Sequence, residues 1–180
     1  MSSQKLFFAG SGGQGVILMG QMTTYAAMYE GKETTYYPSY GPEMRGGTAN
    51  CTVVVSDRPI SCPLIYDADC VVAMNLPSLI KFEQMVKPGG ILLLNTSIIS
   101  QRPSRGDITV YDVPVNELAR DIGNARVANM IMLGALVRST GVVSRGSVVK
   151  VMEKTFTGSK ARLIDLNVSA FDFWKMPQRV

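Results

Sequence analysis

Two rhythms of hydrophobic and polar positions run through the chain. One is a set of short apolar or β-branched runs at 4–9 (QKLFFA), 33–37 (ETTYY), 48–56 (TANCTVVVS), 70–74 (CVVAM), 91–95 (ILLLN) and 108–113 (ITVYDV). Runs of this length, bounded by Gly, Pro, Asn and Asp, predict strands. CVVAM and ILLLN are apolar almost throughout, which suits strands covered on both faces. The other rhythm is helical. Over 16–29, Val16, Ile17, Met19, Met22, Ala26 and Tyr29 fall close to one helical face, and Gly31 follows as a C-terminal cap. Further helices are predicted at 77–86, with Pro77 in the tolerant first turn, and at 116–122, 129–139, 147–156 and 160–174. Gly134 and Ala135 suit a close helix–helix approach.

The order of these elements sets the fold class. Strand, helix and strand over the first 37 residues predict a parallel crossover. Asp57, Arg58 and Pro59 then predict a tight turn into Ile60 and Ser61, a hairpin that makes the sheet mixed. Pro88, Gly89 and Gly90 predict a turn ahead of the strand at 91. The polar stretch 100–107, with Arg102 and Arg105, predicts a mobile loop. Asp67 and Asp69 mark a loop and a strand start rather than a catalytic carboxylate pair. The expectation is an α/β protein: one three-layer Rossmann-like domain over 1–180, with a mixed, mostly parallel sheet and a helical C-terminal part.

Composition narrows the chemistry. At 180 residues, 46% hydrophobic and 18% charged, the chain can bury a real core. The net charge of +4 comes from scattered Lys and Arg; it suits an acidic small ligand or partner and does not point to nucleic acid. The apolar blocks are too short to span a bilayer and the first residues carry no signal-peptide pattern, so no membrane association and a cytoplasmic location are expected. The absence of histidine excludes His-based triads and His metal sites. Cys51, Cys62 and Cys70 form no C-x-x-C pair, so no metal centre is expected and each reads as a buried free thiol. No Ser, Lys or Tyr stands in a recognisable catalytic spacing, and no catalytic residue is assigned.

The candidate binding residues surround the stretch Gly10-Ser11-Gly12-Gly13-Gln14-Gly15-Val16. It lies between the first strand and the first helix, and Gly10, Gly12 and Gly15 match G-x-G-x-x-G. Such a turn brings backbone N–H groups and the positive end of a helix to a phosphate. It also arises simply because the turn is tight and the helix packs close, and spacing does not separate the two. A nicotinamide site would add an acidic residue about 20 positions on, at the end of the second strand. That strand ends in Tyr37, Pro38, Ser39 and Tyr40, and Glu33 lies at its start. The following loop, 38–47, carries Tyr40, Glu43, Arg45, Gly46 and Gly47, and is expected to leave the same sheet edge as the glycine turn. A solvated turn with a surface ion pair is the plainer reading of that loop.

Four stretches together resemble a family. GSGGQGV at 10–16, YGPEMRGGTA at 40–49, VVVSDRPI at 53–60 and NMIMLGAL at 129–136 are similar, in order and spacing, to the gamma subunit of 2-oxoacid:ferredoxin oxidoreductases. The likeness covers nearly the whole chain, and Asn167 with Ala170 matches the family's last helix. The resemblance implies a subunit, inactive alone, of a complex that turns a 2-oxoacid, coenzyme A and oxidised ferredoxin into acyl-coenzyme A, carbon dioxide and reduced ferredoxin. It implies thiamine diphosphate and Mg2+ between alpha and beta partner subunits, and iron–sulfur clusters in beta and delta. YGPEMRGGTA looks most like the 2-oxoglutarate branch, with branched-chain 2-oxoacids next. Coenzyme A would lay its pyrophosphate against Gly12 to Val16, with Arg45 gripping a phosphate and Glu43 orienting Arg45 or touching alpha. Docking of Arg45 onto alpha is the competing role. A stand-alone NAD(P)-binding oxidoreductase and a docking module without nucleotide are the alternatives.

Overall fold

Residues 3–40 and 47–177 are described by the computed structural model, apart from the side chain of Tyr40. The strands are β1 (Gln4–Ser11), β2 (Glu33–Tyr40), β3 (Thr48–Ser56), β4 (Ala68–Ala73), β5 (Val86–Leu94) and β6 (Thr109–Asp112). The helices are α1 (Val16–Tyr29), α2 (Leu76–Phe82), α3 (Val115–Asp121), α4 (Ala128–Thr140), α5 (Arg145–Thr155) and α6 (Ile164–Phe173), with short 3-10 turns at Glu83–Met85, Ala125–Val127 and Gly158–Leu163.

One sheet runs in the order β2-β3-β1-β4-β5-β6. β3 is antiparallel to both β1 and β2, while β1–β4, β4–β5 and β5–β6 are parallel. Only β3 is therefore reversed, and the α/β class with a mixed, mostly parallel sheet holds. The route to the mixture differs from the expected one. β1 and β2 run the same way but are not neighbours, because β3 inserts between them. The hairpin expected at Asp57 does not form: Ile60 and Ser61 lie in no strand. Pro59 has no N–H to offer a ladder, and the segment instead lies over the sheet, where Ile60 and Ile65 border Val54. Pro88, Gly89 and Gly90 lie inside β5 rather than ahead of it. They form an irregularity, since the register steps from Ala68↔Val86 to Cys70↔Ile91.

Side-chain alternation splits the core in two. Leu6, Phe8, Val53, Val72 and Leu93 face a layer holding α1, α3, α4, α5 and α6. Phe7, Ala9, Val71, Leu92 and Leu94 face a thinner layer with Leu79 and Phe82 of α2 and Ile99 of the following loop. Burying each of these large side chains stabilises the fold by about 1.5–3 kcal/mol. In α4 every residue from 129 to 137 is buried, because the helix is covered by the sheet on one side and α6 on the other. Met19, Met22, Met74, Met130, Met132 and Met152 are core residues, whereas Met28 and Met176 are exposed. The 100–107 stretch is pinned rather than free. Arg102 pairs with Asp112 at 2.7 Å, Arg105 pairs with Asp107 and donates to Val86 O, and Ser104 bonds Glu83.

Candidate functional site

The strand order changes direction between β1 and β4: the chain leaves β1 toward β2 and leaves β4 toward β5. A crevice outside the carboxyl ends of such strands is where open α/β sheets bind ligands. The glycine turn stands there. Gly13 and Gly15 have φ of 95° and 72°, a backbone that favours glycine. Gly10 is needed for space, since a Cβ on it would lie 2.6 Å from Val16 Cγ2 and 2.7 Å from Gln14 Oε1.

Gln14 holds the turn to the next strand. Its Oε1 accepts from Ser11 N–H at 2.7 Å and from Asn75 Nδ2 at 3.2 Å, and its Nε2 donates to Met74 O at 3.2 Å. Asn75 Nδ2 also donates to Ser11 Oγ at 2.7 Å, while its Oδ1 caps α2 through Ser78 N–H at 3.0 Å. Asn95 Nδ2 donates to Met74 O and to Asn116 Oδ1, at 3.2 and 2.9 Å. A belt of carboxamides thus ties the ends of β1, β4 and β5 together.

The backbone donors divide. Gly12 N–H donates to Gly47 O at 3.0 Å and Gln14 N–H to Ser11 O at 3.1 Å. The first bond joins Gly47 to the glycine turn; Pro38, Ser39 and Tyr40, expected in the loop, instead extend β2 along β3, paired with Cys51, Asn50 and Ala49. Among the described residues, the N–H groups of Gly13, Gly15 and Val16 have no acceptor, no side chain caps α1, and no acidic residue stands in its first turn. Glu43, Arg45 and Gly46 lie outside the described residues, and of Tyr40 only the backbone, paired with Ala49, is described.

The turn forms one wall of a cleft of about 160 Å3; Met74, Asn116, Arg126 and Asn129 are on the others. Arg126 has no ion-pair partner among the described residues. Asn129, in the first turn of α4, is 9% exposed and its carboxamide has no partner among them. α4 also has no acidic residue in its first turn. Two long helix N-termini, a guanidinium and neutral amides make a place for an anion. Among the described residues no carboxylate, thiol or lysine lines it.

Asn75, Asn116, Arg126 and Asn129 were not among the residues expected from the sequence. Asn129 opens the NMIMLGAL stretch, whose apolar pattern signals packing alone, and Asn124 caps the 3-10 turn that leads into α4. The cysteines separate. Burial pushes the Cys51 thiol up to about 12 and raises Cys70 further, so neither is a nucleophile. Cys62 is exposed, contrary to expectation, because the 57–67 segment stays at the surface instead of joining the sheet. Among the described residues no cluster of three or more Cys, Asp or Glu is arranged to hold a metal ion, and no helix is long and apolar enough to cross a membrane.

Comparison with known proteins adds the family context. The family model for pyruvate ferredoxin/flavodoxin oxidoreductase matches residues 5–173. The ketoisovalerate oxidoreductase subunit VorA of Methanothermobacter thermautotrophicus is 42% identical over 162 residues, which are 89% of this chain and 33% of that one. The 2-oxoglutarate synthase subunit KorC of Methanocaldococcus jannaschii is 37% identical over 152 residues, 83% of this chain and 81% of that one. The chain thus spans about a third of the length of VorA and four-fifths of KorC. Among solved structures, the gamma subunit of a keto/oxoacid ferredoxin oxidoreductase from Geobacter sulfurreducens superposes with a TM-score of 0.81 at 32% identity, covering 94% of this chain and 95% of that one.

Proposed function

Because the chain belongs to the pyruvate ferredoxin/flavodoxin oxidoreductase family, we propose that it is the gamma subunit of a complex that oxidatively decarboxylates a 2-oxoacid with coenzyme A and reduces ferredoxin. Under this reading the chain docks on cytoplasmic alpha, beta and delta partners. Those partners carry thiamine diphosphate, Mg2+ and the iron–sulfur clusters, and the chain alone is inactive. Its own cysteines stand apart, on β3, on β4 and in the loop between them. The substrate to test first is 2-oxoglutarate, as named for KorC; the 42% identity to VorA makes ketoisovalerate the second.

The observation that carries the ligand reading is the cleft itself. Gly13 and Gly15, whose N–H groups have no acceptor among the described residues, line it together with Arg126 and Asn129. A pyrophosphate of coenzyme A answers both: the helix ends favour its charge, and a guanidinium forks onto its oxygens. Arg45, with Glu43 orienting it, is proposed as a second cation from the adjoining loop. A nicotinamide enzyme is poorly supported, since β2 ends at Tyr40 and Glu33 sits at its other end, paired with Ser56.

The test is purification of the tagged protein from its native host without oxygen. Co-purification of thiamine-binding and iron–sulfur subunits, with turnover of a 2-oxoacid that needs coenzyme A, is expected. A stable homo-oligomer without partners overturns the reading. In the active complex, Arg126→Ala is expected to raise KM for coenzyme A with little change in kcat; an unchanged KM makes the chain a docking module only.

A further inference from the structure

Asn95, the residue after β5, is fully buried, yet its Oδ1 has no hydrogen-bond partner. Its backbone is satisfied: the N–H donates to Ala73 O at 3.1 Å, and the carbonyl accepts from Ile99 N–H at 3.1 Å. An orphaned buried acceptor destabilises a fold, and a leucine would fill nearly the same space without one. Packing therefore does not explain an asparagine here. Rotation of the carboxamide gives no relief. A half-turn would set Oδ1 against Met74 O and Asn116 Oδ1, two acceptors, in place of the bonds that Nδ2 makes to them at 3.2 and 2.9 Å.

Of those two bonds, the one to Met74 O is shared, because Gln14 Nε2 also donates to that oxygen at 3.2 Å. The one to Asn116 has a different effect. Asn116 is exposed, in the first turn of α3, where solvent can satisfy its Oδ1. What the bond fixes is the way the carboxamide faces. Oδ1 is turned in to Asn95, and Nδ2 has no acceptor among the described residues. The same loop also holds the Asn116 backbone: Ser97 Oγ accepts from its N–H at 3.0 Å and from Glu117 N–H at 3.2 Å. Asn116 lines the cleft with the glycine turn and Arg126.

We propose that Asn95 is a positioning residue: it holds Asn116 so that the side-chain amide donors face an anion in the cleft, and its own orphaned Oδ1 is the consequence of that hold. The statement rests on the anion reading of the cleft given above. The opposite orientation of Asn116 would present Oδ1, an acceptor that repels a phosphate oxygen. Asn95 itself touches no ligand and acts only through Asn116.

The probe is inorganic pyrophosphate, titrated calorimetrically into the full chain. Asn116→Ala removes the donor and should weaken binding by roughly tenfold, the worth of a hydrogen bond to a charged group. Asn95→Leu leaves Asn116 in place but frees it to turn, and should weaken binding by roughly three- to tenfold with a Tm at or above the parent's. In the Asn116→Ala background the same change should have no further effect, because it acts through Asn116. Side-chain amide NMR is the second readout: pyrophosphate should shift the Asn116 Nδ2 signal in the parent and not in Asn95→Leu. Asn95→Ala takes the place of Asn95→Leu if the latter does not fold. Parent-like affinity in Asn95→Leu, whether or not its Tm falls, overturns the positioning role and leaves the cleft standing; so does equal weakening in both backgrounds. Unchanged binding in Asn116→Ala removes Asn116 from the site and overturns the proposal. A parent chain that does not bind pyrophosphate overturns the anion reading itself.

Discussion

Replacing Gly15 by Ala tests how the glycine turn and α4 are fitted together. Two costs are separable. The first is backbone: at φ 72° a residue with a Cβ is less stable than glycine by about 1–2 kcal/mol. The second is contact. A Cβ on Gly15 would stand 2.4 Å from Asn129 Nδ2, 2.7 Å from its Cγ and 2.8 Å from its Cβ. Turning the Asn129 side chain moves the first atom but not the last, which α4 holds in place. Relief therefore requires the turn and α4 to move apart, and overpacking of this kind costs about 1–3 kcal/mol. The sum, about 2–5 kcal/mol, is a large part of a typical stability of about 5–15 kcal/mol. Gly13→Ala supplies the comparison. Gly13 has φ 95°, but a Cβ there would meet nothing within 4 Å, so this variant carries the backbone cost alone. Urea unfolding of the parent and both variants gives the two terms. Gly15→Ala should lose more than Gly13→Ala by about 1–3 kcal/mol, the overpacking cost, and in the assembled complex it should also raise KM for coenzyme A. Equal losses in the two variants would refute the fitted contact between the turn and Asn129.

Three further outcomes follow from other parts of the fold. For Glu30, burial pushes the carboxyl up. The Ser144 N–H, the Lys32 ammonium and the Ser147 and Ser144 hydroxyls outweigh that and hold it at about 2, against an ordinary 4.5. Its contribution is therefore complete above pH 4.5 and fades as pH falls toward 2, with a ceiling of about 3 kcal/mol; Glu30→Gln should lower stability at pH 7 and converge with the parent near pH 2, and a constant difference across that window would sink the assignment. In Gly134→Ala a new Cβ would lie 1.9 Å from Phe171 O, the atom that accepts from Arg138 Nη1 at 2.7 Å, so α6 must move off α4; a Tm lower by roughly 6–12 °C is expected from a loss of about 3 kcal/mol, and a Tm at or above the parent's would refute the close approach. Under native conditions an alkylating reagent should label Cys62 first and reach Cys51 and Cys70 only on unfolding; equal labelling rates at all three would contradict their burial.

The elements that the sequence made legible are those whose signal is local. α1 spans 16–29 and β3 spans 48–56, residue for residue as the apolar pattern predicts. Glycine turns bound α1 at both ends: Gly31 N–H and Lys32 N–H close it onto Met28 O and Ala27 O. Pairing is not a local property. Nothing in TANCTVVVS says that it runs against two neighbours at once, and the turn chemistry of Asp57, Arg58 and Pro59 suggests the wrong partner for it. The site divides in the same way. Gly10, Gly12, Gly13, Gln14 and Gly15 announce themselves because a strand, a glycine cluster and a helix follow one another in the chain. Asn116, Arg126 and Asn129 reach the same cleft from distant segments, and asparagine is so common at helix starts that its local context carries no mark of a ligand.

The reversed strand brings the segment ahead of it beside the glycine turn. β3 pairs Thr48 with Ser11 and Ala49 with Tyr40, so the chain leaving β2 must return to the sheet beside the glycine turn. Gly47 O then accepts from Gly12 N–H at 3.0 Å, which ties the chain entering β3 to the glycine turn. Had β3 lain at the sheet edge beyond β2, Gly47 would stand away from Ser11 and the two motifs would serve different surfaces. Insertion of β3 between β1 and β2 is what sets Gly47 beside the glycine turn. It joins the two most glycine-rich stretches of the chain at one edge, and any change that shifts the β1–β3 register by one residue should impair both motifs together.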